Sequence, residues 1–412
     1  MKPGLCRVRS KCMPAHGLNN FLTAFALAIG LCACGGGGGG AETKTGSGGT
    51  GDGSSPADAL TASGPFSTVG TAGIAATGLD DRASAIFINT QAGQSFNSLK
   101  LGMVAEVTGT IPLNSTTTTA GIATNIVAES AAVGLVSLVD LANQRFNVLS
   151  LNVQVDQNTI FEGFNSLAGL NAGNRIEVYG LPQADSKSIL ATRLISLPAS
   201  ATAPSELLGV ATNVSAFQLT VQGVVVPLGT VTAVTTPAGT IGGTSSIAEN
   251  TRVRVLGTYS AASNSIAASQ IVAGIPITRN DNAIIVLDGI VQSLGANGRF
   301  RLSDTDVETT TANAAPVTIG SRVQVKGRKA AGVLAATDFR RIAVGERIQF
   351  AVQGDIAGFV STANFTVRGE SINASTATFV GGTAANLVNG RAVRIKALAI
   401  GGRLEATEVT LL

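Results

Sequence analysis

The feature that most constrains this chain is a phrase of eight residues that recurs about every seventy positions. Its copies begin at residues 102, 173, 250, 320 and 390, so the successive spacings are 71, 77, 70 and 70. A nearly constant spacing of this size is typical of a tandem array built from one structural unit. The copies of this central phrase, whose positions are numbered one to eight below, are Gly102–Gly109, Gly173–Gly180, Asn250–Gly257, Gly320–Gly327 and Gly390–Ala397.

The central phrase alternates apolar and polar residues. In the fourth copy, Val323 and Val325 alternate with Arg322, Gln324 and Lys326. This period of two predicts a strand with one buried face. A second phrase follows each central phrase after a turn, at Ile122–Val127, Leu190–Ile195, Ile266–Ile271, Leu334–Phe339 and Leu404–Val409. An opening phrase stands at Val133–Val136, Leu208–Ala211, Asp288–Val291 and Gln353–Ile356, and a strand centred on Phe at Arg145–Val148, Ala216–Leu219, Arg299–Leu302 and Asn364–Val367.

These patterns predict an all-β chain, a tandem array of about five small barrels of the oligonucleotide/oligosaccharide-binding (OB) type. An immunoglobulin-like sandwich is the alternative for each copy. One helical turn is expected within Asn165–Leu170 and another within Ala384–Leu387, and the third copy carries an insertion at Val231–Ser246. Because seventy residues make a marginal core, neighbouring copies are expected to share edges in a semi-rigid rod. The predicted modules span residues 63–130, 131–199, 206–275, 283–346 and 348–412.

The beginning of the sequence predicts export. A basic, polar segment (residues 1–20) precedes the apolar run Phe21–Leu31, which is shorter than the roughly 20 residues that span a bilayer and suits a signal peptide. The next residues, Leu31-Cys32-Ala33-Cys34, are similar to a bacterial lipobox. The resemblance implies that residues 1–33 are a signal peptide and that Cys34 receives lipid, including palmitate. A conventionally cleaved signal with incidental cysteines is the alternative.

A glycine-rich linker is predicted to follow Cys34. Gly35–Gly40 contains only glycine, and Thr, Ser and Gly dominate the residues as far as Ala62. A phosphate-binding loop would need a preceding strand, a Lys-Ser/Thr pair and a following helix, and the segment has none of these signals. As a flexible coil, residues 35–62 would extend roughly 30 Å and hold the modules away from a membrane. Gly35 directly after Cys34 favours the outer membrane, by analogy with lipoprotein sorting.

The lipobox, the polyglycine run and the repeats together resemble bacterial lipoproteins of the domain-of-unknown-function 5666 family. The shared pattern has the form Gly-x-Ile, Phe-x-Val, Gly-x-x-Val-x-Val-x-Gly and Leu-x-Ala-x-x-Val. It covers residues 34–412 and is clearest in the second, fourth and fifth copies. These are framework residues, so the resemblance implies a fold, and it carries over no catalytic residue.

The composition argues against a conventional enzyme. All four cysteines lie at or before Cys34, and the single histidine, His16, lies in the leader. Arrangements of Ser-His-Asp or Cys-His, and zinc sites, therefore lack their residues downstream of Cys34. The remaining acids are expected at exposed strand positions such as Glu106 and Glu177. No catalytic residue, metal site or cofactor is predicted.

Charge narrows the choice of partners. The leader holds four of the 28 basic residues and no acid, so 24 basic side chains face 25 acidic ones downstream. A near-neutral chain has no general attraction for nucleic acid. The acids Asp304, Asp306 and Glu308 alternate along one strand and would suit Ca²⁺, but the glycine and the remaining ligands of a recognised loop are missing.

The fourth module gathers cations that suggest a candidate ligand-binding face. The residues assigned to it are Arg322, Lys326, Arg328 and Arg340. On adjacent strands they could bind an anionic glycan or headgroup, whereas a solvated, salt-paired face is the simpler interpretation. Nucleic-acid binding by such a fold also needs stacking aromatic residues, and only Phe300 and Phe339 lie nearby, at core-like positions.

The sequence thus predicts a non-catalytic cell-envelope lipoprotein, anchored in a membrane through its lipid, that acts as a structural or interaction scaffold. An envelope glycan or a protein is the expected partner, and nucleic acid is not. The alternative is a binding protein for oligosaccharide or another anionic envelope ligand. A hydrolase that relies on carboxylates alone is a third hypothesis.

Overall fold

Strands make up nearly all of the regular structure. The computed structural model describes residues 57–69, 79–80, 85–112, 121–185, 187–200, 202–229, 231, 233–236, 239–275, 279, 281–309 and 317–412. Within these residues, the helical segments are five single 3-10 turns. They are Phe96–Ser98, Leu167–Gly169, Thr244–Ser246, Ala296–Gly298 and Ala384–Asn386. The two turns predicted from the sequence are therefore confirmed, and none of the described helical segments is long and apolar enough to cross a membrane.

The first two modules contain twelve strands. Module 1 holds β1 (Ala57–Pro65), β2 (Thr68–Val69), β3 (Leu79–Asp80), β4 (Ala85–Ile88), β5 (Val104–Pro112) and β6 (Gly121–Ala128). Module 2 holds β7 (Ala132–Asp140), β8 (Arg145–Val148), β9 (Leu151–Gln154), β10 (Ile160–Glu162), β11 (Arg175–Pro182) and β12 (Ser188–Leu197).

The remaining modules follow the same plan. Module 3 holds β13 (Ser205–Thr212), β14 (Gln218–Val221), β15 (Val224–Pro227), β16 (Ala233–Thr236), β17 (Gly239–Gly242), β18 (Arg252–Ser260) and β19 (Ser265–Ala273). Module 4 holds β20 (Ile284–Leu294), β21 (Arg299–Leu302), β22 (Thr305–Thr309), β23 (Arg322–Ala330) and β24 (Val333–Ile342). Module 5 holds β25 (Gln349–Ser361), β26 (Asn364–Val367), β27 (Glu370–Asn373), β28 (Thr378–Val380), β29 (Ala392–Ile400) and β30 (Arg403–Leu411).

Modules 2 to 5 are closed five-stranded barrels. In module 2, β7 pairs with β8, β8 with β9, β9 with β12, β12 with β11, and β11 with β7. All of these pairings are antiparallel except β9–β12, which is parallel. The equivalent parallel pairings are β15–β19, β22–β24 and β27–β30. The tandem barrels predicted from the repeat are confirmed, and the insertion in module 3 forms the hairpin β16–β17.

Each module has a bulge in its last hairpin, and the bulge explains the end of the central phrase. The ladder skips one residue opposite position eight, and the skipped residue is always Ser or Thr. These residues are Thr124, Thr192, Ser269, Thr337 and Thr407. The chains approach so closely here that a Cβ at Gly327 would lie 2.0 Å from the carbonyl oxygen of Ala335. This crowding accounts for the glycine that closes most copies.

Alternation along the strands produces the cores. Phe146, Phe300 and Phe365 are buried in modules 2, 4 and 5, as expected of the Phe-centred phrase. Module 3 differs, because Phe217 is 83% exposed and precedes β14, while Leu219 is buried in the core. The predicted strand centred on Phe217 is therefore wrong: β14 begins at Gln218, and its register places Leu219 and Val221 on the inner face.

The modules share edges, but they do not form a rod of sequential neighbours. Modules 2 and 3 join through β7 and β13, whereas β1 of module 1 pairs in parallel with β20 of module 4, and β2 pairs with β25 of module 5. One hydrophobic core combines module 1 with module 5 and includes Ile160 and Tyr179 of module 2. The predicted rod is wrong because the outward faces bury side chains against modules that are distant in sequence.

The start of the first module also differs from the prediction. Strand β1 begins at Ala57, within the segment 34–62 that was assigned to the linker. It is held there by nine paired positions with β5 and four with β20. Residues 57–62 are thus part of the folded array.

Candidate functional site

The candidate binding residues of module 4 lie on β23 and β24, where ion pairs engage the arginines. Arg322 donates from Nε and Nη2 to the two carboxylate oxygens of Asp288, at 2.9 and 3.0 Å. Its side chain is only 9% exposed. Burial opposes the charge of Arg322, but Asp288, with Asp156 and Glu346, raises the pKa of Arg322 above its ordinary value. Arg322 is therefore held in a buried ion pair with Asp288.

Two of the other candidate cations are also paired. Arg340 donates to Gln324 Oε1 at 3.1 Å and forms an ion pair with Glu346. Arg328 forms an ion pair with Asp58 of β1 and donates to the Asn282 carbonyl at 2.8 Å. The contacts of Arg328 connect module 4 to module 1 and to the segment before module 4.

Lys326 is exposed on β23, as Arg328 is. It shares an outward row with Arg322 and Arg328, since alternate residues of a strand point to the same face. Asp338 lies directly opposite Lys326 on β24. The structure therefore brings the four predicted cations onto one two-stranded surface, interleaved with acidic and amide side chains, and anion binding there stays a prediction.

The acidic phrase of module 4 is likewise paired with arginines. Asp304 pairs with Arg279, Asp306 with Arg301 at 3.1 Å, and Glu308 with Arg299 at 2.9 Å. Register sets the last two pairs, since each acid lies directly across the β21–β22 ladder from its arginine. Among the residues that the structure describes, no group of three or more His, Cys, Asp or Glu side chains could hold a metal ion.

A cleft of about 350 Å³ lies where modules 1, 2, 4 and 5 meet. Its polar side chains include Asp156 and Asn158 of module 2 and Asp288 and Arg322 of module 4. Asp156 accepts from the backbone N–H of Asn158 at 2.8 Å, and Asp288 accepts from Arg322. Both carboxylates of the cleft are thus committed to structural hydrogen bonds.

Asn158 fastens the segment between modules 4 and 5 to the same cleft. Its Nδ2 donates to the Glu346 carbonyl at 2.9 Å, and its Oδ1 accepts from the Ile348 N–H at 2.8 Å. Gln157 donates to the same carbonyl at 2.9 Å. These amides bind the connecting backbone as a neighbouring strand would.

Arg193 forms a buried junction of modules 1, 2 and 5. Its Nη1 donates to both oxygens of Glu370 at 3.0 and 3.1 Å and to the Leu101 carbonyl at 2.8 Å. Glu162 accepts from Arg193 and from Lys100. Burial opposes this charge, yet Glu370 and Glu162 together raise the pKa of Arg193. The side chain is 1% exposed, so the guanidinium holds modules together out of contact with solvent.

Arg254 forms the corresponding junction of modules 1, 2 and 3. It donates to Glu206 at 3.0 Å, to Asn89 Oδ1 at 3.0 Å and to the Ser130 carbonyl at 2.8 Å. Asn89 donates in turn to Glu177 Oε1 at 2.6 Å. Like Arg193, Arg254 is fully buried. Each arginine has an opposite charge and further hydrogen bonds at its Nη atoms, which stabilise a buried charge, while its Nε is buried without a hydrogen-bond partner.

Glu106 and Glu129 line a second cleft, of about 310 Å³, where module 1 meets module 3. Burial raises the pKa of Glu106 to about 7, against the opposing influence of Arg279, which approaches to 3.8 Å, and of Arg252. Arg252 pairs with Glu129 at 2.8 Å. The expectation that Glu106 and Glu177 are exposed is wrong, because both are partly buried and contact other modules or connecting segments.

Sequence reasoning did not single out Arg193 or Arg254. Both stand at polar positions of recurring phrases, where other copies hold unrelated residues such as Asn125 or Gln324. The only sequence signal is that one copy holds arginine where the other copies hold different residues. This signal does not reveal which residue the arginine contacts. Cys34 lies outside the described residues.

The fold and these junctions define a class of protein: a tandem array of small closed β-barrels that are locked together by buried arginines. The family model described as "Domain of unknown function (DUF5666)" matches residues 133–194 and 353–410, which lie in modules 2 and 5. No curated protein and no solved structure matches the chain. The match supports the resemblance in two of the five copies and assigns no activity to them.

Proposed function

We propose that this chain is a non-catalytic cell-envelope lipoprotein, anchored through Cys34, whose five modules act as a structural or interaction scaffold. The barrels are of the OB type in this proposal. In support, the closed barrels of modules 2 to 5 share one strand order, which in module 2 is β7, β8, β9, β12 and β11. A short helical turn directly precedes β11, and another precedes each of its equivalents β5, β18 and β29.

The observation that carries the proposal is that the buried charged side chains contact other parts of the protein and are not free to bind a ligand. Arg193 of module 2 pairs with Glu370 of module 5, and Arg254 of module 3 donates to Asn89 and Ser130 of module 1, so both buried arginines stabilise contacts between modules. Charged side chains that line the two clefts already have partners, Arg322 with Asp288 in one and Arg252 with Glu129 in the other. A rigid array is what these contacts produce, since a buried ion pair that loses one partner is costly.

The outward faces of the second and third strands give independent support. A ligand site would need aligned aromatic groups together with polar groups there, whereas a scaffold allows the residues to vary. The outward residues are Arg145, Asn147, Asn152 and Gln154 in module 2; Gln218, Thr220, Val225 and Pro227 in module 3; Arg299, Arg301, Asp306 and Glu308 in module 4; and Asn364, Thr366, Ser371 and Asn373 in module 5. They differ freely, and none is aromatic.

The anchor can be tested with an alkyne-bearing fatty acid supplied to bacteria that express the full chain. Cys34→Ser is expected to abolish labelling, because the lipobox assigns the acyl group to this sulfur. Cys32→Ser is the matched control and keeps the label. Labelling that persists in Cys34→Ser and disappears in Cys32→Ser would contradict the assignment.

The scaffold role is tested against ligand binding on an array of envelope glycans. The full chain is expected to show no saturable binding to any glycan class. Saturable binding that Lys326→Glu abolishes, while the equivalent change Lys396→Glu in module 5 leaves it unchanged, would establish the ligand-binding alternative and overturn the scaffold.

A further inference from the structure

Position five of the central phrase lies at a contact between modules in most copies. Glu106 of module 1 faces Arg279 in the segment after module 3, and Glu177 of module 2 accepts from Asn89 of module 1. Arg254 of module 3 donates to Asn89. In module 4, by contrast, Gln324 donates to Asp288 and accepts from Arg340 of the same module. The face of the last hairpin that points away from its own barrel, called here the outer face, is therefore a docking face in modules 1 to 3.

Module 5 uses its outer face differently. The side chain at position five, Arg394, donates to Gln353 of the same module at 2.9 Å. Lys396 pairs with Glu408, also within the module, and these two side chains are 43% and 34% exposed. The side chain of Glu106, at position five in module 1, is only 11% exposed.

Module 5 docks on the array through another side. Glu370 of β27 accepts from Arg193, Arg368 donates to the Phe96 carbonyl at 2.6 Å, and the Gly402 carbonyl accepts from Phe161. These contacts arise from the second and third strands and from the last turn. The outer face of β29 and β30 is left towards solvent.

The charges of this open face are arranged in two rows. Arg394 and Lys396 point outward from β29, and Glu405 and Glu408 point outward from the neighbouring strand β30. A two-fold axis that lies in the interface parallel to the strands would place the basic row of one copy against the acidic row of the other. Homodimers pair the same patch in this way.

We propose that the outer face of module 5 is a self-association surface, on which a second copy of this chain docks through the same face. The proposal extends to a second molecule the kind of interface that modules 1 to 3 already use within one molecule, and it depends neither on the lipid anchor nor on the absence of a ligand. Opposite charges across the two-fold axis give the contact its specificity.

Sedimentation equilibrium of the full chain in density-matched detergent tests the proposal. The native chain is expected to form dimers. Arg394→Glu with Lys396→Glu makes the face acidic, and Glu405→Lys with Glu408→Lys makes it basic. Each double variant alone is expected to weaken self-association at least about tenfold, because like charges then meet across the axis.

Mixing the two double variants is expected to restore the dimer as a heterodimer, which also shows that both variants are folded. Arg299→Glu with Arg301→Glu, on the exposed β21 of module 4, is the matched control and leaves the dimer unchanged. A native chain that stays monomeric, double variants that dimerise as the native chain does, or a mixture that forms no heterodimer would each overturn the proposal.

Discussion

Modules 2 and 5 share a framework but occupy opposite situations in the molecule. Both match the same family model, close in the same strand order and hold a 3-10 turn directly before β11 in module 2 and before its equivalent β29 in module 5. Module 2 buries its outer face against module 1, with Tyr179 and Arg193 each 1% exposed. Module 5 leaves Lys396 43% exposed on the equivalent face. The framework therefore builds the barrel, and the residues between the framework positions decide what the barrel contacts.

The threonines at the bulges of modules 2 and 5 also differ in what they contact. In module 5 the Thr407 hydroxyl donates to the Lys396 carbonyl across its own bulge, at 3.2 Å. In module 2 the hydroxyl of Thr192 donates instead to the Gly102 carbonyl of module 1, at 2.6 Å. One recurring residue thus stabilises a hairpin in one copy and a contact between modules in another.

The largest expected effect comes from breaking the buried junction of module 2. Arg193→Ala leaves Glu370 buried without its cation, so the free energy of unfolding is expected to fall by about 3–5 kcal/mol. Glu408→Ala removes the residue at the equivalent position of module 5, where the pair is exposed, and is expected to cost about 0–1 kcal/mol. Urea denaturation measures both, and equal losses would contradict the comparison.

The second effect is a pH dependence of stability. It arises from Glu106, the residue at position five of the central phrase in module 1. Because burial raises the pKa of Glu106 from 4.5 to about 7, the folded state binds a proton that the unfolded state releases. The stability that comes from the protonated form is complete below about pH 4.5 and is lost as the pH rises through 7.

Glu106→Gln keeps the neutral form at every pH. At pH 8 it is expected to stabilise the protein by about 2–3 kcal/mol relative to the native chain, and at pH 4 to change little. Thermal unfolding across this range checks the prediction. Arg394→Gln, at the same phrase position in module 5, is the control without this pH dependence, and a native stability that stays flat between pH 4.5 and 7 would refute the interpretation.

The smallest effect concerns the end of the central phrase. A Cβ at Gly180 would lie 2.4 Å from Cγ2 of Ile189 and 2.6 Å from the Leu190 carbonyl oxygen. Gly180→Ala is therefore expected to cost about 1–3 kcal/mol through overpacking. Module 5 already holds Ala397 at this position, so Ala397→Gly is expected to cost only about 0.5–1 kcal/mol. Chemical denaturation that ranks the two in reverse would show that the bulges are not equivalent.

Much of the fold could be predicted from the sequence, because the information is local. Valines at alternate positions, such as Val323 and Val325, specify a strand and its inner face wherever they occur. Less of the candidate site could be predicted from the sequence. Arg322 and Arg340 were recognised as a cluster of cations, but their partners Asp288 and Glu346 come from other strands and segments, and the register of the ladder decides whether a charge is free or paired.

The sequence by itself determined the unit: the number of copies, their β character and the small residues that close each central phrase, since these follow from short-range alternation and from crowding at a bulge. Only the tertiary structure decided the assembly. Arg193 meets Glu370 across 177 positions, and Arg254 meets Asn89 across 165. Such pairs occur once in the chain and lie at polar positions that every copy fills differently, so no periodic signal marks them.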